Sequence, residues 1–339
     1  MEIAGTILAG RDFETVEGRV VVESGEIVAV EEASVASDDI VLPAFVNAHT
    51  HLGDSIAKDA GRGLSLEELV APPDGLKHRL LREADQRELV AGMRRSLQYM
   101  AESGTAATLE FREGGVAGVE ALREAAAGVD VDAIAFGRDD PDVLDVADGY
   151  GASGANDADF TVERGRARDA DKPFAIHAGE VDETDIHPAL DLDPDLLVHM
   201  VHADDEHLER VADADTPIAV CPRSNLVTDV GLPDVPELLE HATVALGTDN
   251  VMLNSPSMFR EMAYAAKRYD VTAVEVLRMA TTAGAEIAGR NDGLIEEGRD
   301  ANLLVLDGDS HNLAGYRDPV RAAVRRASAS DVRRVLHAT

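Results

Sequence analysis

Tryptophan is absent from the 339 residues, and aromatic residues together make up only 4%. Ala, Val and Leu must therefore do most of the interior packing. There is one cysteine, Cys221, so no internal disulfide can form. No apolar run reaches the ~18 residues of a spanning helix. The opening Met1-Glu2-Ile3-Ala4-Gly5 lacks the basic stretch and apolar run of a signal peptide, which makes a cytoplasmic location the expectation. Lysine is nearly missing too. Only Lys58, Lys77, Lys172 and Lys267 occur, so almost every basic residue is Arg.

Against these absences stands a large acidic excess: 65 Asp and Glu face 31 Lys and Arg, a formal net charge of −34. Such a surface repels nucleic acid and anionic membrane, so neither is expected as a partner. Self-repulsion at this density destabilises a compact state unless salt screens it. The acid is spread along the whole chain and no block reads as an acidic tail. We read the pattern as adaptation to a high-salt cytoplasm.

Hydrophobic residues make up 45% of the chain, which supports a large core. The length suits a barrel of about 250 residues plus a smaller unit. Val20-Val21-Val22 and Ile27-Val28-Ala29-Val30 flank Ser24-Gly25-Glu26, the pattern of a hairpin. Near the other end, Gly293–Gly298 leads into the strand-like Ala301–Asp307, and the two chain ends are expected to pair into one small β unit. Between them, short apolar runs alternate with helical patterns such as Gln86–Glu102, Gly115–Ala127, Glu206–Ala212 and Ala273–Ala288. The runs are Val41–Ala48, Ala106–Phe111, Ala133–Phe136, Asp148–Ser153, Phe174–Ala178, Leu196–Met200, Ile218–Cys221 and Val244–Leu246, eight in all. The expected fold is α/β, a (β/α)8 TIM-like barrel over residues 42–294. A small β-sandwich domain is expected from residues 1–41 and 295–339.

In a barrel the C-terminal strand ends form the active face, so polar residues there carry the functional signal. The first run ends Asn47-Ala48-His49-Thr50-His51, and strand alternation puts both imidazoles on one side. The fifth ends His177-Ala178-Gly179-Glu180, the sixth gives His199-Met200-Val201-His202, and the eighth ends Gly247-Thr248-Asp249-Asn250. A lone His-x-His pair is more often structural, and a lone Asp at a strand end is more often a helix cap. Their joint occurrence at four strand ends points instead to a metal site. Neutral imidazoles with a carboxylate suit Zn2+ and also Fe2+.

On these motifs the chain resembles the amidohydrolase superfamily, in its cytosine deaminase, guanine deaminase and chlorohydrolase-like branch. The resemblance runs almost end to end. It includes Leu42-Pro43-Ala44-Phe45-Val46-Asn47-Ala48-His49-Thr50-His51 and the closing Gly293–Leu303 segment. It implies one divalent ion, Zn2+ before Fe2+, held by His49, His51, His177 and Asp249. It implies Glu180 as proton carrier, Asp249 as proton acceptor and His199 beside the attacking water. Related dinuclear enzymes carry a carboxylated Lys at the end of strand four. The fourth run here continues Gly154-Ala155-Asn156-Asp157 without one, which implies a mononuclear site.

The implied reaction is hydrolytic deamination of a purine, pyrimidine or pterin-like ring with release of ammonia. The alternative on the same site is opening of a cyclic amide or imidazolone, or dechlorination. The Trp-bearing segment of S-adenosylhomocysteine/methylthioadenosine deaminases has no counterpart here. Arg112, Arg138 and Arg223 follow closely on predicted strands, and Lys77 lies in the long segment after the first. These are candidates to bind an anionic group on the substrate. Salt bridges to Glu110, Glu113 or Asp139 would explain them equally well. Ser224 and Asn225 are further candidates for heterocycle binding, by resemblance. The partner expected is a small heterocycle, and the sequence leaves a homo-oligomer open.

Overall fold

The computed structural model describes residues 1–338. Among the described residues, fifteen strands lie in two sheets. They are β1 (Glu2–Ala9), β2 (Glu14–Glu23), β3 (Glu26–Glu32), β4 (Ile40–Pro43), β5 (Phe45–His51), β6 (Thr105–Arg112), β7 (Asp132–Gly137) and β8 (Gly149–Gly154). They continue with β9 (Phe174–Ala178), β10 (Leu196–His199), β11 (Ile218–Val220), β12 (Val244–Leu246), β13 (Asp249–Asn250), β14 (Leu303–Leu306) and β15 (Val332–Leu336).

The larger sheet has nine strands in the order β12-β11-β10-β9-β8-β7-β6-β5-β13. Its two ends, β12 and β13, belong to one stretch of chain interrupted only at Gly247-Thr248. The series is therefore that of an eight-position, TIM-like barrel whose last strand is split. Parallel strands covered on both faces should read as continuous apolar runs. Every residue of β5 and β6 is buried, including the polar ones that the site uses. The parallel register levels the strand ends: His199 pairs with Ala178, Asp249 with Thr50 and Asn250 with His51. Gly247 allows a close approach of neighbouring strands. A Cβ there would lie 2.8 Å from the Cβ of His49 and 2.9 Å from the Sγ of Cys221.

The chain forms two compact units. One comprises residues 48–98 and 108–256, and it contains every candidate site residue. The other comprises residues 1–47, 99–107 and the chain from Ser257 onward. Within this second unit both chain ends contribute to a six-stranded sheet ordered β15-β14-β4-β1-β2-β3. Its apolar face gathers Ile3, Ile7, Val20, Ile27, Val41, Leu303 and Leu336 into one cluster. The expected hairpin is β2–β3, paired with a register shift at Val21/Val22.

Three expectations need correction. The first apolar run, Val41–Ala48, is two strands. Residues through Pro43 pair antiparallel with β14, and the chain joins the other sheet only from Phe45. The expected helix Ala273–Ala288 breaks at Thr281, whose backbone (φ −131°, ψ −85°) is not helical, into Ala273–Ala280 and Thr282–Ile287. The C-terminal segment also carries a helix, Pro319–Arg325, between β14 and β15. Among the described residues, no helix is long and apolar enough to cross a membrane.

Candidate metal centre and active site

Alternation along β5 sends His49 and His51 to one side and Thr50 to the other. Behind the strand, Thr50 Oγ1 donates to Glu110 Oε2 at 2.8 Å. The Leu52 amide donates to both Glu110 oxygens, at 2.9 and 2.7 Å. The strand end that carries both imidazoles is thus pinned by one buried side chain.

His49 is fully buried, and neither of its ring nitrogens has a hydrogen-bond partner. A buried imidazole in that state is costly unless a ligand completes it. Its donors face others of the right kind. Ligand atoms of His49, His51 and Asp249 lie within 4.8 Å of one another, as do those of His49, His177 and His199. A third such group joins Glu180, His199 and Asp249. His51 Nδ1 donates to the Phe111 carbonyl at 3.0 Å, and His177 Nδ1 to the Ala152 carbonyl at 2.8 Å. Carbonyls only accept, so in both rings the proton sits on Nδ1 and the Nε2 lone pair is left for the interior.

Protonation favours the same chemistry. Burial pushes His49 down to about 4 and His51 down to about 3, and it holds His177 well below the ordinary imidazole range. For Asp249 burial acts upward. The close approach and charge of His49, with smaller contributions from His199 and His51, outweigh it and keep the carboxyl well below its usual range. Three neutral imidazoles and one carboxylate are a donor set for a divalent cation. Asp249 Oδ1 lies 3.3 Å from His49 Nε2 and 3.6 Å from His51 Nε2. Its Oδ2 accepts from Ser224 Oγ at 2.5 Å.

Glu180 and His199 face this group, with Glu180 Oε2 3.6 Å from His199 Nε2. Burial raises the Glu180 carboxyl. Asn225 Nδ2 donates to His199 Nδ1 at 3.1 Å, which places the ring proton on Nε2, toward Glu180. His199 and Asp249 both adopt left-handed backbone, with φ of +80° and +55°. Strained non-glycine residues of this kind are held by their surroundings and gather at functional sites. A cavity of about 170 Å³ opens over the group, lined by His51, His177, Glu180, His199 and Asp249, with Lys77 and Arg138 on its wall.

The structure therefore brings together His49, His51, His177, Glu180, His199 and Asp249. It sets Ser224 behind Asp249 and Asn225 behind His199. The cations divide. Arg138 lines the cavity, bonds the Gly151 carbonyl through Nε at 2.9 Å, and keeps a buried Nη2 without a partner. Lys77 lines it as well but is bonded to Glu113 and Asn250. Arg112 turns to the Gly118 carbonyl and to Glu113, and Arg223 to the Ser255 carbonyl. Lys172, at the far end of its strand, bonds the carbonyls of Leu144 and Ala147. Sequence reasoning passed over Asn250 and saw Glu113 only as a salt-bridge partner for Arg. Their one signal was position, directly after a strand-end ligand and one residue past β6.

Relatives of this chain occur at several levels of identity. An uncharacterized protein of Methanocaldococcus jannaschii is 36% identical over 96% of this chain and 94% of its own length. A 5-methylthioadenosine/S-adenosylhomocysteine deaminase of Haloarcula marismortui is 31% identical over 92% of this chain and 84% of the relative. Among solved structures, a zinc-bound adenosine deaminase from Xanthomonas campestris superposes with a TM-score of 0.79 at 18% identity. That alignment covers 99% of this chain and 91% of the other, and it supports the fold. The amidohydrolase family model matches residues 40–139 and 152–335, most of the chain, and on that extent the protein belongs to the amidohydrolase family.

Proposed function

We propose that this amidohydrolase is a mononuclear, metal-dependent aminohydrolase that deaminates an aminated nitrogen heterocycle and releases ammonia. The observation that carries the reading is the orphaned, fully buried His49 ring, set among His51, His177 and Asp249 with Glu180 and His199 opposite. His49, His51, His177 and Asp249 are the proposed ligands. Zn2+ is the proposed ion, with Fe2+ suited by the same donors. When bound, such an ion lowers the pKa of a water and so supplies a nucleophile near neutral pH. His199 orients the attacking oxygen, and Asp249 takes its proton. Glu180, which burial keeps protonated more readily, delivers a proton to the ring nitrogen and later assists the departing ammonia. Ser224 and Asn225 hold Asp249 and His199 for these tasks.

Arg138 is the proposed contact for an anionic group on the substrate, because its Nη2 is buried, unpartnered and on the cavity wall. Lys77, with one donor beyond the two in use, supports it from the same cavity, while Arg112 and Arg223 act from behind. The relative from Haloarcula marismortui and the −34 charge favour a salt-rich cytoplasm as the working environment. We further propose the domain division 1–41, 42–294 and 295–339. In it the small sheet folds over its cluster as a sandwich, since Ile27 of edge strand β3 and Leu336 of edge strand β15 share that cluster.

The test is an ammonia-release screen of aminated heterocycles, with and without carboxylate or phosphate substituents, in concentrated KCl with metal content measured on the same sample. Release that needs the metal and disappears in His177→Ala is the expected result. No release from any member by metal-loaded protein would end the aminohydrolase reading. Arg138→Ala should raise KM for anionic substrates and leave neutral ones unchanged, and an unchanged KM for both would remove Arg138 from recognition.

A further inference from the structure

Behind two of the proposed ligands lies a set of contacts that the reaction scheme leaves unused. Glu113 Oε1 is 2.8 Å from His51 Nδ1 and 2.7 Å from Lys77 Nζ. Lys77 Nζ also donates to Asn250 Oδ1 at 3.0 Å, and Asn250 Nδ2 donates to Asp249 Oδ1 at 2.8 Å. The path then closes, because Asp249 Oδ1 is 3.6 Å from His51 Nε2. His51, Glu113, Lys77, Asn250 and Asp249 thus form a ring, and none of the five is more than 5% exposed.

We infer that Glu113 and Lys77 are positioning residues that, through Asn250, form a strut fixing His51 and Asp249 relative to each other. The inference rests on the reading of those two residues as metal ligands. Three physical points carry it. The first is the polarity of the Asn250 amide. An ammonium can only donate, so Lys77 requires the amide oxygen on its side, which leaves Nδ2 facing the Asp249 carboxylate. Without Lys77 the amide is oriented by the Asp249 carboxylate alone, and its oxygen loses the donor that anchors it to the rest of the ring. The second is the second side of His51. A carboxylate beside Nδ1 favours the Nδ1–H tautomer and makes the opposite nitrogen a better donor, as outer carboxylates do at metal-bound histidines. The third is span. Lys77 comes from the helix Leu76–Glu83, Glu113 follows β6, and Asn250 ends the split last strand, so one lysine ties three separate chain segments to the ligand group.

The test uses the full chain stripped of metal, in four forms: wild type, Lys77→Met, Glu113→Gln and the double variant. Zn2+ affinity is measured by competition with a chromophoric chelator. The Co2+-loaded forms are compared by visible absorption, which reports ligand geometry, and thermal melts verify folding. Each single change should weaken Zn2+ binding about 10–100-fold and shift the Co2+ bands. The double should be little worse than the weaker single, since both break one strut. Folded variants with wild-type affinity and wild-type Co2+ bands would overturn the inference, as would losses that multiply in the double. A single variant that fails to fold does not stop the test. The double removes one charge of each sign and keeps the net charge of the cluster, and Asn250→Ala breaks the same strut without touching a charge. If wild type binds no Zn2+, the metal-centre reading falls and the strut with it. If wild type binds and the variants match it, the strut alone falls.

Discussion

Glu110 is a carboxyl group with no exposure, held by the Leu52 amide and Thr50 Oγ1 at the back of the strand that bears His49 and His51. Burial, reinforced by the charge of Glu113 and opposed by Arg112 and by these hydrogen bonds, pushes its pKa up to about 8 from an ordinary 4.5. Because the folded-state value lies above the unfolded one, the folded chain binds the proton more tightly. Its contribution to stability is whole below pH 4.5, shrinks as pH rises, and is gone above about pH 8. The slope inside that window is about 1.4 kcal/mol per pH unit, with an upper bound of about 5 kcal/mol across it. Glu110→Gln keeps the shape and an acceptor for the Leu52 amide but cannot ionise. Denaturant unfolding of wild type and variant at fixed high KCl, from pH 5 to pH 9, isolates the effect, because the other titrations cancel in the difference. The variant should gain on wild type steadily up to pH 8 and then run parallel to it. Curves that stay parallel throughout would show that Glu110 titrates alike in folded and unfolded chains, and the argument from its burial would fail.

Other perturbations have equally definite outcomes. Glu180→Gln should lower kcat about 10²–10⁴-fold while metal content stays at one ion per chain; an unchanged kcat removes Glu180 as proton carrier. A Cβ at Gly53 would fall 1.9 Å from Nη1 of Arg112, which is itself held by Gly118 and Glu113. Gly53→Ala should therefore cost about 1–3 kcal/mol in unfolding experiments, and a neutral result would mean that this buried guanidinium moves freely. Self-repulsion at −34 should make Tm climb between 0.1 M and 1 M KCl, as the screening length shortens from about 10 Å to 3 Å. A flat Tm would show that the acidic surface contributes no strain.

The barrel strands were legible because strands covered on both faces are uniformly apolar and short, and turns separate them from amphipathic helices. Phe174–Ala178 and Val244–Leu246 have the bounds read from sequence. The same uniformity hid the passage between the two sheets. Ile40–Pro43 and Phe45–His51 are buried along their whole length, so hydropathy carries no mark of the change of partner at Ala44. The break at Thr281 left no mark for a related reason. Thr281 and its neighbours are buried and the apolar spacing continues through them, so pattern alone extends the helix.

At the site the limit is of another kind. Which residues gather follows from strand ends, since a closed parallel barrel brings them to one rim. How their charges pair does not, because Lys77, Glu113 and Asn250 meet only through folds of chain between them. The pairing bears directly on function. Three enclosed cations, Lys77, Arg112 and Arg138, share the single carboxylate of Glu113. The neighbouring Glu110 is held toward its neutral form and offsets little. Of the three cations, Lys77 and Arg138 bring to the cavity positive charge that Glu113 alone does not balance, and Asp157, Glu180, Asp185 and Asp249 line the same cavity. Enclosed charge without a partner is costly, so a fold that keeps it gains only if something anionic completes it. In a molecule whose outer surface repels anions, that completion is an affinity set by fixed, close-range donors, with little help from long-range steering. The substrate we propose, with its amine toward Asp249 and Glu180 and its negative group toward Arg138, would meet both kinds of charge at once.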